Sequence, residues 1–259
     1  MMDRIQVYGV RVDRDLTEEE RSAAIEYLTP ERKAKALRFR RFKDQEKGIL
    51  TGLLESYVIR HTLERDGSRS YTLGYGKEGK PYIVEFPGLH YNISHSGSLI
   101  VCGIGDELLG IDVEREERYS ERVAKRFFHP EEQKDIFSQE NEAEKRKIFT
   151  MYWVMKESFM KLSGAGFSIP LKTFHCNRQT GEILITDEVP EEWMKLLRDA
   201  GLQGDRKPIC RFLDVDEGYQ CAVCTLLKPD STKETALGIS NDGELRMLNV
   251  TGLLAEYGI

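Results

Sequence analysis

Residues 98–114 read SLIVCGIGDELLGIDVE, and the fold class turns on them. Two runs rich in Leu, Ile and Val flank a turn signal at Gly105-Asp106, the pattern of two β-strands joined tightly, so a hairpin ending at Glu114 is expected. In the second run Asp112 and Glu114 stand two residues apart, and a strand projects such a pair of carboxylates from one face. Two carboxylates on one face can share a hard cation. Taken alone, Asp-x-Glu on a strand is more often a solvated edge.

Working outward, each side of this stretch repeats a helix-then-strand order. Upstream, RIQVYGVRV (4–12) reads as a strand, and Thr17 with Glu20 three residues later reads as a capping box. Thr29-Pro30 restarts a helical pattern, and Ile49, Leu50, Leu53, Leu54, Tyr57 and Val58 recur at helical spacing up to about Leu63. Residues 66–97, dense in Gly, Pro and Ser with short strand-like runs between the turn signals, read as loops that present side chains, with Asn92–Gly97 a polar turn after a strand. Downstream, residues 120–163 are helical with a new start at Pro130, and Gly164–Pro170 breaks the pattern. Strand-like runs (FHCN, EILIT, ICRFLDV, YQCAVCTLL) and a helix near 190–200 follow. The expected class is α+β, with a join near 115–120 and an appendage at the C-terminal end.

The chain has 259 residues, 40% of them apolar and 32% charged, enough for a substantial core without a disulfide scaffold. Five cysteines form an odd set, no apolar run is long enough to span a bilayer, and MMDRIQVYGV lacks a secretory core. A reducing, cytoplasmic setting without membrane insertion is expected. A net charge of −6 opposes general nucleic-acid binding, yet residues 31–47 (ERKAKALRFRRFKDQEK) are strongly basic, an element suited to an anionic ligand. Cys221-x-x-Cys224 has no second pair at ligand spacing and lies in a strand pattern, so it reads as structural. Neither GxxxxGK[ST] nor GxGxxG occurs.

A second constellation lies in WVMKESFMKL, where Trp153, Glu157 and Lys161 share one helical face. Glu157 and Lys161 can be an exposed i,i+4 pair, or a carboxylate for metal or proton with an ammonium for phosphate charge. Ser94, His95 and Ser96 offer hydroxyls and an imidazole to a phosphate, and Lys80 sits between Gly79 and Pro81. Each of these is commonplace alone.

In order along the chain, YGKEGKPYI, YNISHSG, GIDVE and WVMKESFMKLSGAGFSIPL resemble the successive motifs of the surfactin-type (Sfp-type) 4′-phosphopantetheinyl transferases. The resemblance covers roughly residues 4–227 and includes PERKAKALRF in the basic segment. It implies a pseudo-two-fold duplicated fold, with residues 1–115 and 116–227 as two similar α/β halves, the active site in the cleft between them, and 228–259 an extension of unknown role. It implies transfer of the 4′-phosphopantetheine moiety of coenzyme A to a serine of an apo acyl or peptidyl carrier protein, with Mg2+ required and 3′,5′-ADP released, by a monomer. By motif position Asp112, Glu114 and Glu157 correspond to metal ligands, and Glu157 and Lys161 to catalytic groups. Arg32, Lys35, Lys80, Pro81, Ser94, His95 and Lys161 correspond to coenzyme A contacts. Gly48 departs from the pattern, standing where some relatives carry a hydroxyl near the 3′-phosphate. The rival classes are a non-catalytic binding module and a magnesium-dependent nucleotide hydrolase.

Overall fold

The computed structural model describes residues 5–65, 70–76, 79–117, 119–164, 166, 170–186, 189–199, 202, 206–227 and 245–259. The chain runs β1 (Gln6–Arg11), α1 (Glu18–Glu26), α2 (Pro30–Leu37), α3 (Phe42–Arg65), β2 (Leu73–Tyr75), β3 (Pro81–Ile83), β4 (His90–Ser96), β5 (Leu99–Gly105) and β6 (Leu109–Arg115). It continues through α4 (Glu121–Phe127), α5 (Pro130–Phe137), α6 (Glu142–Ser163), β7 (Phe174–Cys176), β8 (Ile183–Ile185), α7 (Glu191–Asp199), β9 (Lys207–Leu213), β10 (Tyr219–Leu227), β11 (Arg246–Asn249) and α8 (Val250–Ala255). The class is mixed helix and sheet.

Two sheets organise the molecule, one ordered β11-β1-β5-β4 and the other β6-β10-β9. The long helix α3 lays Ile49, Leu50, Leu53 and Leu54 on the first, against Tyr8, Val10, Ile100 and Cys102. The long helix α6 lays Phe149, Met155, Phe159 and Met160 on the second, against Cys210, Ala222 and Cys224. A third cluster, with Val7, Leu99, Val101, Ile111, Val113 and Val223, joins residues of both sheets. All five cysteines are free and buried, and Cys221 and Cys224 lie in different clusters, as structural side chains on opposite faces of β10 do.

Helix starts follow the caps legible in the sequence. Thr17 and Glu20 form a capping box, Thr29 caps α2 ahead of Pro30, and His129 caps α5 ahead of Pro130. The short-helix, long-helix unit thus occurs twice, α2 with α3 and α5 with α6, offset by one hundred residues at both starts. Each unit holds a charged pair at the same place, the third residue of the short helix against the buried face of the long one. In the first, Arg32 Nε donates to Glu55 Oε2 at 2.5 Å; in the second, Lys156 Nζ lies 2.9 Å from Glu132 Oε2, with both side chains 0% exposed. The polarity is reversed between the two.

Three expectations change. The hairpin is β4 with β5, turned at Gly97-Ser98 where Gly97 takes φ +53°, and not β5 with β6. β6 instead pairs along its whole length with β10, so the passage from one sheet to the other falls between Gly105 and Leu109, before the division expected at 115. Second, Asn92–Ser96 is strand and not turn. Its polar alternation has a physical reason. β4 and β6 are edge strands running in the same direction, and the N–H groups of β6 that face the seam are met by side chains of β4. Ile111 N–H donates to Asn92 Oδ1 (2.9 Å), Val113 N–H to Ser94 Oγ (3.4 Å) and Arg115 N–H to Ser96 Oγ (3.2 Å). Third, the C-terminal end is no appendage over its described part. β11 pairs parallel with β1, and Val250, Leu253 and Leu254 of α8 enter the first core. Residues 228–244 of the expected extension lie outside the described residues. No described helix is long and apolar enough to cross a membrane.

Candidate active site

Gly110 sets the distance between the two elements that carry the candidate residues. A Cβ there would lie 2.0 Å from Ser158 O and 2.4 Å from Leu162 N, so β6 touches the backbone of α6 directly. That contact brings Asp112 and Glu114 of β6 up to Glu157 and Lys161 of α6. Asn141 caps the start of α6, and Gly164, at φ +66°, ends it just beyond Lys161.

Lys161 Nζ lies 2.6 Å from Asp112 Oδ1, 2.8 Å from Ser94 Oγ and 3.2 Å from Ile111 O. Ser94 Oγ in turn donates to Asp112 Oδ1 at 2.7 Å, and Ser96 Oγ donates to Glu114 Oε2 at 2.6 Å. Asp112 Oδ2 and Glu157 Oε1 are buried with no hydrogen-bond partner. Burial pushes the Asp112 carboxyl up, against the pull of Lys161 and Ser94. Desolvation, with the charges of Asp112 and Glu114 adding to it and Lys161 opposing, raises Glu157 to about 7.

These groups open onto a cavity of about 320 Å³ whose other wall is basic. Arg32, Lys35 and His95 line it together with Phe39, Gly48 and Thr51, while Asp112, Glu114, Glu157 and Lys161 close it. The Lys35 ammonium is held below its ordinary range by desolvation and by Arg32, and the His95 imidazole by desolvation and the charges of Lys47, Lys161 and Lys35. Several cations crowding one another in a cavity wall is the electrostatics of a polyanion site. Gly48 has its own reason to be glycine, since a Cβ there would meet Ala36 of α2 at 3.1 Å. Thr51, one turn along α3, lines the same cavity, with its hydroxyl donating to Lys47 O at 2.7 Å.

A second cavity, of about 260 Å³, adjoins the first, and both are lined by Glu157 and Lys161. Gly79, Lys80, Pro81, Asn92 and Met160 also line it. Lys80 Nζ donates to Leu162 O (2.9 Å) at the end of α6 and to Leu109 O (3.4 Å), and burial lowers its ammonium to about 8. The structure therefore gathers Arg32, Lys35, Ser94, His95, Asp112, Glu114, Glu157 and Lys161 around one cavity, with Lys80 and Pro81 in its neighbour. Arg32 reaches it already paired with Glu55, and the Ser94 hydroxyl is turned to Asp112. Among the described residues no group of three or more His, Cys, Asp or Glu stands ready to hold a metal. Chemically the carboxylates nonetheless fit a hard divalent cation, because two buried carboxylate oxygens lack any partner and the three acids repel one another.

Sequence reasoning missed Gly110, whose only signal was a glycine inside a strand pattern. It also read Asn92, Ser94 and Ser96 as a turn, although their period-two alternation is a strand signal.

Two family models match this chain. That of the 4′-phosphopantetheinyl transferase superfamily covers residues 108–224, and that of the 4′-phosphopantetheinyl transferase N-terminal region covers 15–104. The chain is 33% identical over 223 residues to 4′-phosphopantetheinyl transferase Sfp of Bacillus subtilis (strain 168), covering 85% of this chain and 92% of that protein. It is 32% identical over 206 residues to 4′-phosphopantetheinyl transferase psf-1 of Bacillus pumilus, with 78% and 82% covered. It is 27% identical over 191 residues to L-aminoadipate-semialdehyde dehydrogenase-phosphopantetheinyl transferase of Xenopus laevis, with 64% and 62% covered.

Proposed function

The chain belongs to the 4′-phosphopantetheinyl transferase superfamily, and on that premise we propose that it transfers the 4′-phosphopantetheine moiety of coenzyme A to a serine of an apo acyl or peptidyl carrier protein, releasing 3′,5′-ADP. One observation carries the reading: a single cavity sets a basic wall of Arg32, Lys35 and His95 opposite the carboxylates of Asp112, Glu114 and Glu157, with Lys161 between them. A substrate with a pyrophosphate and a further phosphate matches the cations, and a nucleophile that must lose a proton matches the carboxylates.

The basic wall binds and orients the phosphates, and the adjoining cavity with Lys80 and Pro81 extends the binding surface. Asp112, Glu114 and Glu157 would hold a magnesium ion, which when bound supplies positive charge to the pyrophosphate oxygens. The carrier serine Oγ forms a bond to the β-phosphorus as the bond to the departing 3′,5′-ADP oxygen breaks. Glu157, whose carboxylate lines the same cavity, is suited to take the serine proton. Lys161 stabilises charge on the leaving phosphate. The repeated helix units and paired sheets support two similar halves with the site between them, so one chain supplies a complete cleft and acts as a monomer.

The test is Glu157→Gln incubated with coenzyme A and an apo carrier, followed by intact-mass spectrometry. Wild type adds the phosphopantetheine arm, and the variant is expected to be slower by about 10²–10⁴-fold. Wild-type rates in the variant, or no mass gain with wild type on any apo carrier, would refute the assignment.

A further inference from the structure

Along the seam between the sheets, the rungs of β4 use the same geometry in two ways. Asn92 offers an amide oxygen to Ile111 N–H and ends there. Ser94 and Ser96 accept from the next backbone N–H groups, Val113 and Arg115, and donate to the carboxylates of the residues just before them, Asp112 and Glu114. A hydroxyl has one proton and two lone pairs. Once the backbone N–H fills one lone pair, the rotor is fixed and its proton is aimed at the carboxylate.

Asp112 is 4% exposed and is also paired with Lys161. Glu114 is half-buried, carries one more rotatable bond and lies nearer the rim, where more rotamers are open to it.

We propose that Ser96 is a positioning residue for Glu114: by accepting from Arg115 N–H and donating to Glu114 Oε2, it fixes one carboxylate oxygen and aims the carboxylate at the cation. The inference rests on the reading of Asp112, Glu114 and Glu157 as a cation site. It adds Ser96, which contributes through Glu114 and not by touching substrate.

The probe is Mn2+, titrated into the full-length protein with saturating coenzyme A and followed by the electron paramagnetic resonance signal of the free ion. Ser96→Ala is expected to bind Mn2+ about tenfold more weakly, with coenzyme A affinity in the absence of metal unchanged and the melting temperature close to wild type. Ser96→Thr keeps the hydroxyl and is expected to bind as wild type does. Equal Mn2+ affinity in wild type and Ser96→Ala would overturn the proposal, as would Ser96→Thr as weak as Ser96→Ala. A Ser96→Ala protein that fails to fold would also overturn it, because the rung would then be a structural tie. If wild type itself binds no Mn2+, the reading of the whole site fails, an outcome distinct from a wild-type isotherm that Ser96→Ala leaves unmoved.

Discussion

Replacing Lys156 by Met removes the only cation from a fully enclosed pair. Lys156 Nζ lies 2.9 Å from Glu132 Oε2, donates to Leu171 O (2.8 Å) and Phe174 O (3.0 Å), and sits 4.2 Å from the centre of the Phe174 ring. Glu132 also accepts from the N–H groups of His129 and Cys176. Methionine nearly conserves the volume, so the loss is electrostatic: a buried carboxylate without a cation, and two carbonyls without a donor. Breaking a buried pair in this way costs about 3–5 kcal/mol. Against a total of about 5–15 kcal/mol for a typical domain, that is a large share. Urea unfolding is the assay, with the midpoint moving down at an unchanged slope. The double variant Lys156→Met with Glu132→Gln removes both charges, and is expected to recover at least about 1 kcal/mol relative to the sum of the singles. A loss under about 1 kcal/mol in Lys156→Met, or strict additivity in the double variant, would refute the reasoning.

Gly110→Ala forces a methyl to within 2.0 Å of a backbone oxygen, so α6 must lift off β6. A loss of about 1–3 kcal/mol or more in thermal unfolding is expected, together with loss of transfer as Lys161 leaves Asp112; a wild-type melting temperature would contradict the close approach. Lys80 is held at about 8 in the fold against 10.5 for the free side chain. Between those values the unfolded chain holds more protons, so the lysine's destabilising effect is fully present below about pH 8 and fades as pH rises towards 10.5. Wild type is therefore expected to gain stability relative to Lys80→Met as pH rises from about 8 towards 10.5 in parallel melts; a difference independent of pH would refute this. Deleting residues 245–259 strips Val250, Leu253 and Leu254 from the first core, at roughly 1.5–3 kcal/mol per side chain, and a soluble truncation melting with wild type would show the segment to be dispensable.

Much of the site was legible because its signals are local. Asp112 and Glu114 announce themselves by strand period, Glu157 and Lys161 by helix period, and the helix starts at Thr17, Thr29 and Pro130 by short-range chemistry. What escaped depends on partners distant in sequence. β5 and β6 look like a hairpin because both are apolar strands about a Gly-Asp turn, and only β10, more than one hundred residues on, claims β6. The polar residues of β4 look like a turn because the N–H groups they satisfy lie on another strand. The C-terminal strand is four residues long and its partner is at the other end of the chain. In each case the deciding partner lies outside the element's own stretch of sequence. The candidate residues were more legible than the scaffold that holds them.

The reversed polarity of the two charged pairs bears on how the chain avoids assembling wrongly. Two similar helical units in one polypeptide invite exchange, with α5 settling on α3 or α2 on α6. Such a swap would set Glu132 against Glu55, or Arg32 against Lys156, like charges pressed together where water cannot separate them. The correct partner alone offers the opposite sign.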